Sequence, residues 1–106
     1  MIKIIGGKYK RSNLFVPKTD VRPTSSMIRE SIFSILESYA LRNSIEIYKN
    51  KAVLDIFAGS GSLGLEAISR GAKEVFFYEN DNEVVKILEK NFSKICKENN
   101  YEIVEN

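Results

Sequence analysis

Apolar positions along the chain follow two different spacings, which predict strands and helices in alternation. Short apolar runs at residues 53–56, 75–78 and 101–104 predict three strands. Between them, apolar residues recur at helical spacing, namely Leu63, Ala67 and Ile68, and then Val84, Leu88, Phe92, Ile95 and Cys96. Because crossovers between parallel strands are right-handed, this β-α-β-α-β order predicts an α/β fold with three parallel strands side by side in one sheet.

The N-terminal part of the chain has a different pattern. Apolar runs at residues 2–5 and 14–16 flank two glycines and several bases, which predicts a β-hairpin whose loop side is basic. A linker with both prolines follows, and Thr24 or Ser25 can cap a helix that runs to about Leu41. The apolar residues of this helix form one stripe along one face, namely Ile28, Ile32, Ile35, Leu36 and Tyr39. We therefore separate a basic hairpin and linker, residues 1–23, from a sheet domain, residues 24–106.

Composition narrows the chemistry that the chain can perform. The 106 residues suit one small domain, and no apolar run approaches the ~18 residues that a membrane helix needs. No secretory signal is visible, so we expect a cytoplasmic protein without a membrane partner. The absence of histidine excludes Ser/His triads and histidine ligands, and the single cysteine, Cys96, argues against a structural zinc site. We expect Cys96 to be a plain core thiol and no metal to be bound.

The charge of the chain is unevenly distributed. Its net charge of +2 combines +5 over residues 1–30 with −3 over residues 31–106. One interpretation is a soluble surface that happens to be uneven. The other is a basic arm that neutralises phosphates of a nucleic acid.

The most informative motif is a glycine-rich turn between the strand at 53–56 and the helix that follows. Gly59, Gly61 and Gly64 fit the G-x-G-x-x-G pattern, and Glu79 ends the next strand twenty positions after Gly59. Such a turn brings backbone N–H groups close to a ligand, and a strand-end acid can accept hydrogen bonds from both ribose hydroxyls. The pattern therefore predicts a pocket for a nucleoside-type cofactor. The alternative is a glycine-rich connection that merely packs closely, with Glu79 as a solvated strand end.

An acid within the strand end, Asp55, distinguishes between possible cofactors. A carboxylate beside the glycine turn would repel the pyrophosphate of a dinucleotide. It would attract the ammonium group of S-adenosylmethionine, which carries no phosphate. Asp55 therefore favours S-adenosylmethionine over a nicotinamide or flavin cofactor.

These residues resemble a known family. The pattern Asp55-x-Phe57-x-Gly59-x-Gly61 resembles the first motif of Rossmann-like S-adenosylmethionine-dependent methyltransferases that act on exocyclic amino groups. The longer string at residues 53–67, with Ile-Ile-Gly-Gly-Lys-Tyr-Lys at 4–10 and Arg-Pro-Thr at 22–24, looks more specifically like the bacterial 16S ribosomal RNA guanine-N2 methyltransferases. The resemblance covers essentially the whole chain.

The resemblance implies a function and a set of site residues. It implies methyl transfer to a guanine amino group in small-subunit ribosomal RNA, with S-adenosylmethionine as the cofactor. The predicted cofactor-binding residues are Asp55, Phe57, Gly59, Gly61, Gly64 and Glu79. The predicted RNA-contacting residues are Lys8, Lys10, Arg11, Arg22 and Thr24. On this interpretation, residues 24–106 are the N-terminal part of the cofactor-binding domain.

One departure from the family is large. The family has an Asn/Asp-Pro-Pro-Tyr/Phe motif after its fourth strand, which holds the target amine, whereas this chain contains no Pro-Pro and no fourth strand. We therefore expect an incomplete Rossmann-like methyltransferase fold that is inactive alone, and we assign no catalytic residue. We also expect self-association through the open edge of strand 53–56. A noncatalytic nucleic-acid-binding fragment, an amino-methyltransferase acting on adenine, and a dinucleotide-dependent oxidoreductase remain alternatives.

Overall fold

A computed structural model describes residues 2–16, 25–56, 59–96 and 100–104 of the chain. The elements, in chain order, are β1 (Ile2–Lys3), β2 (Asn13–Leu14), α1 (Ser26–Arg42), β3 (Ala52–Ile56), α2 (Ser62–Ser69), β4 (Glu74–Tyr78), α3 (Asn82–Ile95) and β5 (Tyr101–Val104). β1 and β2 form a small antiparallel hairpin, and the other strands form a parallel sheet in the order β3-β4-β5. The predicted hairpin and the predicted three-stranded parallel sheet with flanking helices are both confirmed.

Helices α1 and α3 begin where the sequence supplies a side-chain cap. The Ser25 hydroxyl accepts the N–H of Ile28 at the start of α1, at 3.2 Å. The Asp81 carboxylate accepts the N–H groups of Glu83 and Val84 at the start of α3. Each of these contacts satisfies a backbone donor that has no partner inside the helix. The predicted start of α1 is therefore confirmed, with Ser25 as its cap.

The core lies where α3 packs over β4 and β5. The ring of Phe92 meets Phe77 of β4 edge-on at 4.7 Å and stacks on Tyr101 of β5 at 4.0 Å. The predicted apolar face of α3 is buried, including Leu88 and the following Cys96. Cys96 is thus a buried thiol, as the sequence suggested.

The N-terminal arm, residues 2–16, packs against this same core. Ile4 and Leu14 are almost completely buried and belong to the core cluster. The turn of the arm lies on the C-terminal end of α2, where the Lys8 N–H donates to the Ser69 carbonyl at 2.8 Å. The Tyr9 N–H donates to the Ser69 hydroxyl at 2.9 Å. The arm is therefore fixed to the helix that follows the glycine turn.

Helix α1 does not bury the stripe that its sequence suggested. Ile28, Ile32, Ile35, Leu36 and Tyr39 are all exposed, and Ile35 keeps 68% of its accessible surface. The buried residues are instead Arg29, Phe33 and Ala40, each one position beyond a member of the stripe. One position is about 100° around a helix. The apolar stripe therefore forms a second face of α1, beside the buried face, and no described part of the chain covers it.

The open edge of the sheet adjoins this uncovered surface, because Ile32 of α1 and Leu54 of β3 line the same groove. β3 pairs with β4 alone among the described strands, and Leu54 and Ile56 are more than half exposed. A shallow groove of about 230 Å³ runs between β3 and α1, lined by residues that include Ile32, Phe33, Leu54 and Asp55. The expectation of an unpaired edge at strand 53–56 is met in the described part of the chain.

Two negative findings apply to the described residues. None of their helices is long and apolar enough to cross a membrane. They also contain no cluster of histidine, cysteine, aspartate or glutamate that could hold a metal ion.

Candidate functional site

The glycine turn connects the carboxyl end of β3 to the first residue of α2. Gly59 and Gly61 have positive φ angles of 57° and 82°, which L-residues rarely adopt. Gly61 is the N-cap of α2 without a side-chain cap, and its carbonyl accepts the first helical hydrogen bond, from Leu65, at 2.8 Å. The N-cap residue supplies no side chain to cap the start of α2, so the first backbone N–H groups lie at the positive end of the helix without such a cap.

The third glycine of the motif allows α2 to lie directly on the sheet. A Cβ atom at Gly64 would be 2.5 Å from the Cζ atom of Phe77 in β4. Gly61 also has a packing constraint, because a Cβ atom there would collide with the Leu88 side chain. Close packing of helix and strand thus explains Gly64, and it gives Gly61 a structural role besides any approach of a ligand.

Glu79 reaches from the end of β4 to the glycine turn. One of its carboxylate oxygens accepts the Gly59 N–H at 3.1 Å, and the other accepts the Asp81 N–H at 3.2 Å. Gly59 and Glu79 are twenty positions apart in sequence. Parallel pairing of β3 with β4 brings them together, because both strands end at the same edge of the sheet.

Asp55 lies under the same turn, one residue before the end of β3. Its carboxylate accepts the Gly64 N–H at 3.2 Å. Desolvation by burial is the main cause that raises the pKa of Asp55 from 3.8 to about 6, the Gly64 hydrogen bond opposes that rise, and the charge of Glu79 adds to it. The two acids are therefore close enough to interact, and together they give this end of the sheet a negative electrostatic potential.

The remaining predicted residues divide into two groups. Phe57, Arg22 and Thr24 lie outside the described residues. Lys8, Lys10 and Arg11 are exposed on the turn of the arm, at the C-terminal end of α2. The glycine turn is at the other end of this eight-residue helix, about 12 Å away along its axis. The structure therefore brings Asp55, the glycines and Glu79 together, and places the arm bases apart from them.

The structure adds a buried asparagine that sequence patterns did not identify. The Asn91 side chain, fully buried in α3, accepts the Phe15 N–H at 2.7 Å and donates to the Phe15 carbonyl at 3.0 Å. It also donates to the Ser60 carbonyl in the glycine turn at 2.9 Å. Asn91 thus joins the arm to the glycine turn. The one sequence signal for Asn91 is that a polar residue occupies a buried position of an amphipathic helix.

A buried glutamate in α2 fixes the other end of the arm. One oxygen of Glu66 accepts the Ile5 N–H and the Arg29 Nε–H, and the other accepts the Gly6 N–H and the Arg70 Nε–H. Arg29 is completely buried and also donates to the Lys3 carbonyl. Arg29, counted among the bases of residues 1–30, is therefore not available to phosphates. Its charge is neutralised inside the protein.

Comparisons with known proteins agree on one family. The family described as "Conserved hypothetical protein 95" matches residues 2–106. The chain is 37% identical over 105 residues to ribosomal RNA small subunit methyltransferase D of Haemophilus influenzae, covering 97% of this chain and 50% of that protein. The Escherichia coli protein of the same name is 38% identical over 95 residues, which is 89% of this chain and 44% of that protein.

Solved structures agree with the sequence relatives. The Escherichia coli protein YhhF superposes with a TM-score of 0.81 at 37% identity, over 99% of this chain and 52% of that one. A hypothetical protein of Thermus thermophilus gives a TM-score of 0.78 at 31% identity, over 100% of this chain and 56% of that one. The chain thus spans about half the length of the relatives that it matches. It belongs to the conserved hypothetical protein 95 family of Rossmann-like, S-adenosylmethionine-dependent 16S ribosomal RNA guanine-N2 methyltransferases.

Proposed function

We propose that this chain forms the S-adenosylmethionine-binding part and the RNA-contacting arm of a methyltransferase that acts on the exocyclic amino group of guanine in 16S ribosomal RNA. The main support is the contact between the Glu79 carboxylate and the Gly59 N–H. It joins a strand-end acid to a glycine turn at the carboxyl edge of a parallel sheet, which is where α/β proteins bind nucleoside cofactors.

The two acids of the site suit a cationic ligand that carries hydroxyl groups. S-adenosylmethionine supplies a methyl group activated by a sulfonium, and it also has an ammonium group, a carboxylate and a ribose. Asp55 is partly buried beneath the turn and can accept from the ammonium. Glu79 can accept from the ribose hydroxyls, and the N–H groups at the start of α2 can donate to the ligand's carboxylate. A pyrophosphate would meet two acids instead, so the donor set favours S-adenosylmethionine over a dinucleotide.

The substrate proposal comes from the family and from the exposed bases. Two relatives are named as small-subunit ribosomal RNA methyltransferases. Lys10 and Arg11 are exposed on an arm that is hydrogen-bonded to α2 and α3, which suits contact with phosphates. The sequence has two separate prolines, Pro17 and Pro23, and hence no Pro-Pro segment to hold a target amine. We therefore propose that this chain transfers no methyl group when alone.

The uncovered apolar surface supports an association proposal. α1 exposes an apolar stripe, and β3 exposes Leu54 and Ile56 beside an edge that pairs with no other described strand. Such an edge is a template for another strand. We expect the isolated chain to self-associate through β3. Sedimentation should reveal oligomers, and hydrogen exchange should slow at residues 52–56 with concentration. A clean monomer with slow exchange there would contradict this part of the proposal.

Calorimetry with S-adenosylhomocysteine and with NAD tests the cofactor. We expect the former to bind and the latter not to bind. Glu79→Ala should weaken S-adenosylhomocysteine by roughly ten- to a hundredfold, since ~1.4 kcal/mol is tenfold. Glu102→Ala, which removes an exposed acid from β5, is the matched control and should leave binding unchanged.

Each alternative function predicts a different result in binding or in methyl transfer. Tighter binding of NAD would favour a dinucleotide-dependent oxidoreductase. RNA binding without any binding of S-adenosylhomocysteine would favour a noncatalytic nucleic-acid-binding chain. A preference for adenine-containing acceptors, measured once a complementary polypeptide restores transfer, would favour the adenine amino-methyltransferase.

A further inference from the structure

The outer side of α3 carries two lysines that contact the N-terminal arm. Lys94 Nζ donates to the Asn13 carbonyl at 3.1 Å. Lys90 Nζ lies 4.2 Å from the centroid of the Phe15 ring, and Lys94 Nζ lies 5.0 Å from the same centroid. Both lysines are exposed, and their i, i+4 spacing places them on one face of the helix. Neither was among the residues that the sequence identified as RNA contacts.

These two lysines extend a surface that is already basic. Residues 2–16 contain four bases and no acid. Arg11 is four residues from Phe15, so their Cα atoms are at most about 14 Å apart. Two ammonium groups around one ring repel each other, and an anion bound between them relieves that repulsion. Several phosphates of one nucleic acid strand can span the distance from Arg11 to Phe15.

The same segment of α3 contacts the glycine turn on its inner side. Asn91, between the two lysines in sequence, is buried and bonds both the Phe15 backbone and the Ser60 carbonyl. The basic surface around Phe15 therefore lies one side chain away from the proposed cofactor site. An RNA strand is a more suitable ligand here than an acidic protein, because the reacting base must come close to this turn.

We propose that Lys90 and Lys94 form, together with the N-terminal arm, one continuous surface that binds the phosphate backbone of RNA next to the glycine turn. This inference rests on the proposed function, whose RNA contacts it extends from the arm to α3. Phe15 and Asn13 position the two ammonium groups, and Asn91 fixes this surface relative to the turn.

The test measures binding of a short fluorescent RNA hairpin by anisotropy over a range of salt concentrations. The Lys90→Gln/Lys94→Gln variant should lower the magnitude of the salt slope by about 1.4 to 1.8, the value for two lost phosphate contacts. That change corresponds to about a 10- to 30-fold weaker affinity at physiological salt. The Lys90→Arg/Lys94→Arg variant should keep the slope of the unmodified chain, because it retains both charges. Thermal unfolding of each variant checks that the fold is intact.

The Lys49→Gln/Lys73→Gln variant is the matched control. It removes two exposed charges before β3 and β4, at the opposite edge of the sheet, and should leave the slope unchanged. If Lys90→Gln/Lys94→Gln behaves like this control while Lys10→Gln/Arg11→Gln weakens binding, the α3 proposal is wrong and the arm proposal stands. If the unmodified chain does not bind RNA, both are wrong. If it binds poly-glutamate as tightly as RNA, the surface belongs to an acidic partner and the inference is overturned.

Discussion

Asp55 allows the cofactor proposal to be tested by pH. Burial is the main cause that raises the pKa of Asp55 from 3.8 to about 6. If the ammonium group of the ligand requires the carboxylate form, the apparent Kd is multiplied by one plus the ratio of protonated to ionised Asp55. At pH 5 this factor is about ten, and at pH 7.5 it is close to one. Binding of S-adenosylhomocysteine should therefore weaken about tenfold between pH 7.5 and pH 5.

The same pKa shift has the opposite effect on stability. The folded-state pKa exceeds the unfolded value, so the folded protein holds more protons between about pH 4 and pH 6. The free energy of unfolding contributed by Asp55 thus falls as pH rises through this window. A difference of two pKa units corresponds to about 3 kcal/mol at most. Ligand affinity and protein stability should consequently change in opposite directions with pH.

Asp55→Asn separates these two effects. Its amide oxygen can still accept the Gly64 N–H, but the charge is lost. We expect S-adenosylhomocysteine to bind roughly ten- to a hundredfold more weakly at pH 7.5, as when a charge-assisted hydrogen bond is lost. We also expect a flat affinity profile between pH 5 and pH 7.5, and a free energy of unfolding at pH 7.5 that is higher by up to about 3 kcal/mol.

Calorimetry and urea unfolding across this pH range provide the measurements. Asp81→Asn is the matched control, since asparagine caps a helix as well as aspartate does and removes an exposed acid near the same turn. It should retain the pH dependence. The reasoning is refuted if the unmodified chain binds equally well at pH 5 and pH 7.5, or if Asp55→Asn has the same pH profile.

Three further substitutions test the packing around the site by urea unfolding. Gly64→Ala should destabilise by about 1–3 kcal/mol or more, because its Cβ atom would overlap the Phe77 ring; unchanged stability would show that the helix can shift away. Glu66→Gln should cost about 3–5 kcal/mol, since it leaves the Arg29 charge buried without a counter-charge, and a loss below about 1 kcal/mol would contradict this. Asn91→Leu leaves three backbone groups unsatisfied and should lower the free energy of unfolding by about 2–5 kcal/mol. An unchanged free energy of unfolding would indicate that water replaces the amide.

Local sequence signals predicted the elements that form the sheet domain. Strand runs, the Ser25 cap and the helical spacing of Val84, Leu88 and Phe92 are short-range features, and each is realised in the structure. The approach of Glu79 to Gly59 followed from parallel pairing together with the position of each residue at a strand end. This part of the site was predictable because two independent local patterns meet at one edge of the sheet.

The burial of α1 was not predictable in the same way. An amphipathic pattern identifies an apolar face, but it does not identify what covers that face. Ile28 and Ile35 belong to the apolar stripe and are exposed, whereas Phe33 is buried against the rest of the chain. In the described part of the chain, α1 contacts its neighbours through the face that carries Arg29 and Phe33, and the residues that this face meets are Lys3, Tyr48, Glu66 and Arg70.

The two polar clusters escaped sequence reasoning for a different reason. Glu66 and Asn91 occupy helical positions where a charged or amide residue is ordinarily solvated, and their partners in other elements are 31 to 76 positions away. Nothing local distinguishes Glu66 from a surface residue, and the only local signal for Asn91 is its position among the buried residues of an amphipathic helix. Their function becomes visible only through what they connect: Glu66 holds the start of the arm to α2, and Asn91 holds its end to the glycine turn. Since buried polar groups are costly unless fully paired, these two side chains fix the arm in one position relative to the proposed cofactor site. An arm held at both ends would present its exposed bases at a defined distance from the proposed cofactor site, which a flexible basic tail would not do.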